Sequence, residues 1–211
     1  MAAILKQPCS RLFQMRHIGK RLFIWRCVMS DEVIIRHCSP TLAGLKTGNL
    51  FLIDYNTKAE LMKDLKNLNK RLAVKGVRIL PVRYSGDKVL LYMYRDTYLK
   101  RDLKNGEASK ILHSLGYDCA TSDQYISSLI RKFKSVTEFP HEIGLFLGYP
   151  PEDVRGFIEN KAHNFKCVGT WKVYGDEEKA KKTFKKFQKC SIVYYEQWKQ
   201  GKSIERLTVA V

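Results

Sequence analysis

Cys38 and His141 are the side chains of this chain best suited to chemistry. Each directly precedes an apolar run, in Arg36-His37-Cys38-Ser39-Pro40-Thr41-Leu42-Ala43-Gly44-Leu45-Lys46 and in Phe139-Pro140-His141-Glu142-Ile143-Gly144-Leu145-Phe146-Leu147-Gly148-Tyr149-Pro150. Both runs read as helix starts, where unpaired backbone N–H groups and the positive end of the helix dipole favour a thiolate or a bound anion. The expected constellation is a cysteine-dependent hydrolase or acyl-transfer site. In it Cys38 is the nucleophile, His141 the base, and Glu142, Asp54 or Asn164 the orienting group. The order of Cys before His, and Cys followed shortly by Pro-Thr-Leu-Ala-Gly, resemble papain-like peptidases. In those enzymes the base opens a strand, whereas His141 reads as opening a helix.

Two other chemistries stay open. His37, Cys38, His141 and Cys167, with Glu142, His163 or Cys190 behind them, are ligand types for zinc, iron or haem. No CxxC, HxxxH or HExxH spacing joins them, so the sequence specifies no metal and no cofactor. The third is binding of nucleic acid or another anionic partner. Lys181, Lys182, Lys185, Lys186 and Lys189 lie on a helix whose apolar positions are Ala180, Phe184, Phe187 and Cys190, which turns the lysines to the solvated face. Gly144, Gly148 and Val154 have the spacing of a helix-turn-helix, but Glu152, Asp153 and Glu159 on its second helix would face the phosphates. That spacing equally fits two short helices packed at an angle.

These side chains must be positioned by a mixed α/β architecture. Helices are expected over 31–37, from Pro40 to Lys46, and over 58–75, where Leu61, Leu65, Leu68 and Leu72 keep helical spacing and Gly76 supplies the stop. Asn49 to Asp54 reads as a short strand. Strands 77–84 and 88–94 flank Ser85-Gly86-Asp87, a hairpin turn. Further helices are expected over 96–104, 106–115, 122–136, 142–148 and 151–161, then a strand at 167–174, the lysine-rich helix and a last helix near 191–200. The expected result is a small central sheet of about four strands flanked by helices, with a strand order the sequence does not fix.

The chain has 211 residues and a formal charge of +17. Residues 1–28 supply six of those charges through Lys6, Arg11, Arg16, Lys20, Arg21 and Arg26, with no Asp or Glu. This stretch is expected to be a basic N-terminal extension, disordered or placed upstream of the true start. Met29 offers a fresh start, with Ser30-Asp31-Glu32 opening a helix by a hydroxyl cap and an acidic first turn. Residues 29–211 are then expected to form one α/β domain. No apolar run approaches the roughly eighteen residues a spanning helix requires. Six scattered cysteines without a secretory signal suggest reduced thiols in a cytoplasmic compartment.

The run from Met29 to Phe51, the segment from Phe139 to Asn160, and Cys167 to Gly175 together resemble the bacterial family known as domain of unknown function 3793. The resemblance covers essentially residues 29–209 and implies that 1–28 is dispensable. It implies no activity, fold or ligand.

Overall fold

The computed structural model describes residues 29–135 and 139–210, so the expected N-terminal extension lies outside the described residues. A continuous apolar strand at its centre organises the rest. β3 (Lys88–Arg95) is buried at every position after the first, as a strand covered on both faces must be. β1 (Gly48–Asp54) and β2 (Val77–Ser85) pair with it in antiparallel fashion, giving the order β1-β3-β2. This sheet has three strands rather than about four. The fourth expected strand, 167–174, is a separate hairpin of β4 (Cys167–Val168) and β5 (Lys172–Val173), because the chain reverses over Gly169-Thr170-Trp171 and pairs Cys167 with Val173.

Alternation along β3 divides the core. Val89, Leu91 and Met93 join Phe51, Ile53, Val77 and Ile79 on one face. That face is covered by α1 (Asp31–Leu42) and by α2 (Lys58–Leu72), which buries the Leu61, Leu65, Leu68 and Leu72 stripe. Helices α8 (Glu177–Lys199) and α9 (Ile204–Leu207) complete the layer, with Ile204 and Leu207 in the same core. Leu50, Leu90, Tyr92 and Tyr94 point to the other face. There they meet α3 (Asp96–Leu103), α4 (Gly106–Ser114), α5 (Ser122–Ser135), the single turn α6 (Ile143–Phe146) and α7 (Pro151–Glu159).

Two expected breaks are absent. Pro40 does not start a second helix; it lies in the last turn of α1, where its missing N–H removes one hydrogen bond, the one to the Arg36 carbonyl, and the helix ends two residues later. The expected division of the lysine-rich helix also disappears, since no Gly or Pro interrupts residues 177–199 and the helix runs on to a stop at Gly201, φ +89°. The predicted stop after α2 is present, with a 3-10 turn over Ala73–Lys75 and Gly76 in the left-handed region at φ +74°.

Arg95, at the end of β3, is fully buried. Its Nε donates to the Thr41 carbonyl at 2.6 Å, and one terminal nitrogen donates to Leu42 at 2.6 Å and Val209 at 2.8 Å. The other donates to the Lys75 carbonyl at 3.3 Å. A single guanidinium thus ties together carbonyls at the end of α1, in the turn after α2 and near residue 209, adding a second donor to those of Thr41 and Leu42. Arg95→Met should cost ~3 kcal/mol of stability, because the Lys75 and Val209 carbonyls lose this donor and those of Thr41 and Leu42 keep only the backbone N–H groups of Gly44 and Val209. Denaturant unfolding measures this, and a loss under ~1 kcal/mol would show that the carbonyls find other donors.

Candidate cleft between the two motif segments

The structure separates the residues expected to act together. Cys38 is not at a helix start but two turns inside α1, fully buried in the core on that face of the sheet, and desolvation pushes its thiol well above the usual range. Such a thiol is held protonated and inert. His141 packs in the opposite layer against Phe139 and Phe157, with ring centroids 6.1 and 4.9 Å away. Glu142, at 5% exposure, accepts from the Tyr117 hydroxyl at 3.0 Å and pairs with Lys132 at 3.2 Å. It orients those groups rather than an imidazole.

The expected metal ligands are likewise dispersed. His37 stacks on Phe51 at 5.1 Å, with burial lowering its pKa. Cys167 sits on the small hairpin beside Glu177. Among the described residues no group of three or more His, Cys, Asp or Glu side chains lies close enough to hold a metal ion. Asp153, placed by the sequence on a phosphate-facing helix, is instead buried. It accepts from Trp171 Nε1 and from the backbone N–H groups of Tyr174 and Gly175, each at 2.7 Å, and so staples α7 to the hairpin. Lys181 pairs with Glu177 at 2.8 Å, and Lys182, Lys185, Lys186 and Lys189 lie exposed along α8.

The two motif segments do meet, through other residues. After α1 the chain turns at Gly44, φ +71°, and the Pro40 carbonyl accepts from the N–H groups of Leu45 and Lys46, closing the 43–47 loop. Gly48 and Gly148 admit the close approach of the second segment. A Cβ on Gly48 would lie 3.1 Å from the Phe146 carbonyl, which itself accepts from the Tyr92 hydroxyl at 2.6 Å. A Cβ on Gly148 would lie 2.6 Å from Thr47 Oγ1, and Gly148 holds φ +77°. Thr47 Oγ1 in turn donates to Asp102, whose other oxygen accepts from Arg101 Nε at 2.8 Å.

A cleft of about 470 Å³ opens at this junction. Lys46, Thr47 and Tyr149 line it together with Arg101 and Asp102 of α3, and Glu152 and Lys179 reach it from the starts of α7 and α8. Lys46 is 4% exposed, and its ammonium has no hydrogen-bond acceptor. It rests 5.0 Å above the Tyr149 ring, which stacks on Trp171 at 4.7 Å. A cation–π contact returns ~1–2 kcal/mol, less than the several kcal/mol lost when an ammonium leaves water. Desolvation therefore lowers Lys46 from the usual lysine value of 10.5 to about 7, opposed only weakly by Cys38.

A model of one protein family matches residues 34–208, a span that contains both segments and every residue of the cleft named above. The chain belongs to the family described as Protein of unknown function (DUF3793). No curated protein and no solved structure matches it. Within this DUF3793 chain the sequence already carried one sign of the cleft, a Lys-Thr pair between Gly44 and Gly48. Arg101 and Asp102, in an ordinary amphipathic helix, carried none.

Lys46 costs the fold stability. The unfolded chain holds the lysine proton up to about pH 10.5, whereas the folded chain releases it near pH 7. Within that window the unfolded state binds more protons, so stability rises with pH, and below it the full cost of the buried ammonium applies. Lys46→Met should therefore be more stable than the natural protein by ~4 kcal/mol at pH 6, with most of that advantage lost by pH 10. Chemical unfolding at several pH values measures the difference, and a pH-independent gap would contradict the assignment.

Proposed function

We propose that the protein binds a small anionic compound in the cleft between the 43–47 loop, α3 and the start of α7. The observation that carries this reading is the Lys46 ammonium, buried beside a cavity with no acceptor of its own. A bound anion would supply the missing charge and acceptor. Arg101 and Lys179 add positive charge around the same space. Of the two carboxylates there, Asp102 is already engaged by Thr47 and Arg101, which leaves Glu152 to set the orientation of a ligand with a positive or hydrogen-bond-donating end.

This is the small-ligand form of the anionic partner expected from the basic composition. An acyl-transfer centre built on Cys38 and His141 draws less support, because Cys38 is a core thiol of α1 and His141 packs in the layer across the sheet. The exposed lysines of α8 are compatible with a larger polyanion, but none of Lys181, Lys182, Lys185, Lys186 and Lys189 lines the cleft.

Sulfate is a suitable probe because its charge is constant between pH 6 and 8. Calorimetric titration at fixed ionic strength should give saturable binding that weakens about tenfold from pH 6 to pH 8, as Lys46 loses its proton. In Lys46→Met it should weaken at least tenfold at pH 6. Undetectable binding, or binding indifferent to both pH and Lys46, would overturn the reading.

A further inference from the structure

We propose that Lys46 forms an imine with an anionic carbonyl compound held in this cleft. The inference rests on the anion-binding reading above and adds the chemical class of the ligand. An amine reacts with a carbonyl only through its free lone pair, so a lysine used this way must avoid both carboxylate partners and full hydration. Lys46 meets both conditions. Its ammonium has no hydrogen-bond acceptor, it is 96% shielded from solvent, and a ring face rather than a carboxylate is its neighbour. Burial that brings its pKa to about 7 leaves close to half of the amine neutral at neutral pH, whereas an exposed lysine is almost entirely protonated.

The cleft supplies the complementary half of the site. Arg101 and Lys179 can hold a carboxylate or phosphate while the carbonyl end faces Lys46. The Lys46 nitrogen is shielded behind the cleft wall against Tyr149, and its flexible four-carbon stem lets it swing from the ring toward a bound ligand. The Gly44 turn that precedes Lys46 and the open volume beside it leave room for that motion.

The step balances without an oxidant or reductant. The Nζ lone pair bonds to the carbonyl carbon as the C=O π pair moves onto oxygen, and one N–H proton passes to that oxygen to give a carbinolamine. The C–O bond then breaks, the oxygen leaves as water with the second N–H proton, and the nitrogen lone pair closes the C=N bond.

Glyoxylate, a small anionic aldehyde, tests this directly. The full chain is incubated with glyoxylate and cyanoborohydride at pH 7, and the reduced adduct is located by peptide mass mapping over time. Lys46 should be modified at least ~10-fold faster than the mean exposed lysine. Sulfate should slow the modification of Lys46 and leave the exposed lysines unaffected. Lys46→Arg keeps the charge without a primary amine, and should retain sulfate binding while losing the fast site. If Lys46 is modified no faster than surface lysines although sulfate binds, the imine is excluded and the anion site stands. If sulfate does not bind and Lys46 is slow, both fail.

Discussion

The guanidinium of Arg95 donates to carbonyls from the end of α1, the turn after α2 and the residues near the C-terminus, all from a fully buried position at the end of the central strand. A charge so placed is tolerated because its donors all find carbonyl acceptors. The arrangement also fixes where α1 ends relative to the sheet. The 43–47 loop is strung between that end and β1, so the place of Lys46 follows from Arg95. The second motif segment is then set on the loop by the close approaches at Gly48 and Gly148.

Lys46 is the counterpart of Arg95, a buried cation that the fold does not satisfy. Met at this position would fill the same volume beside Tyr149 without the desolvation cost. A core that satisfies Arg95, Glu142 and Asp153 with hydrogen bonds leaves the Lys46 ammonium without one. Local departures of this kind mark places where stability has been given up for binding or reactivity.

Much of the architecture could be read from residue spacing because its causes are local. The leucines of α2, the stop at Gly76 and the Ser85-Gly86-Asp87 hairpin act within a few residues. The unbroken apolar run of β3 marked a strand covered on both faces. Pro40 misled because a proline favours a first turn yet can be carried inside a helix at the cost of one hydrogen bond, and residues 167–174 misled because a three-residue reversal can hide in a short stretch. The site was legible only in part. The 36–46 and 139–150 segments do converge, but which side chains meet depends on the face of the sheet each occupies, and the local pattern did not place Cys38 in one layer and His141 in the other. Nor did the glycines on either side of Lys46-Thr47 show that Lys46 is buried, because a lysine in a loop is ordinarily solvated and Tyr149 packs over this one.

The protonation of Lys46 in the folded protein tests this most directly. With lysine labelled by ¹³C at Cε, the Lys46 resonance, assigned by its loss in Lys46→Met, can be followed from pH 5 to pH 11. A midpoint about 7, well separated from the exposed lysines, is the predicted result. A midpoint near the ordinary 10.5 would mean that the amine is hydrated or paired, and would remove the basis for assigning the cleft to an anionic ligand.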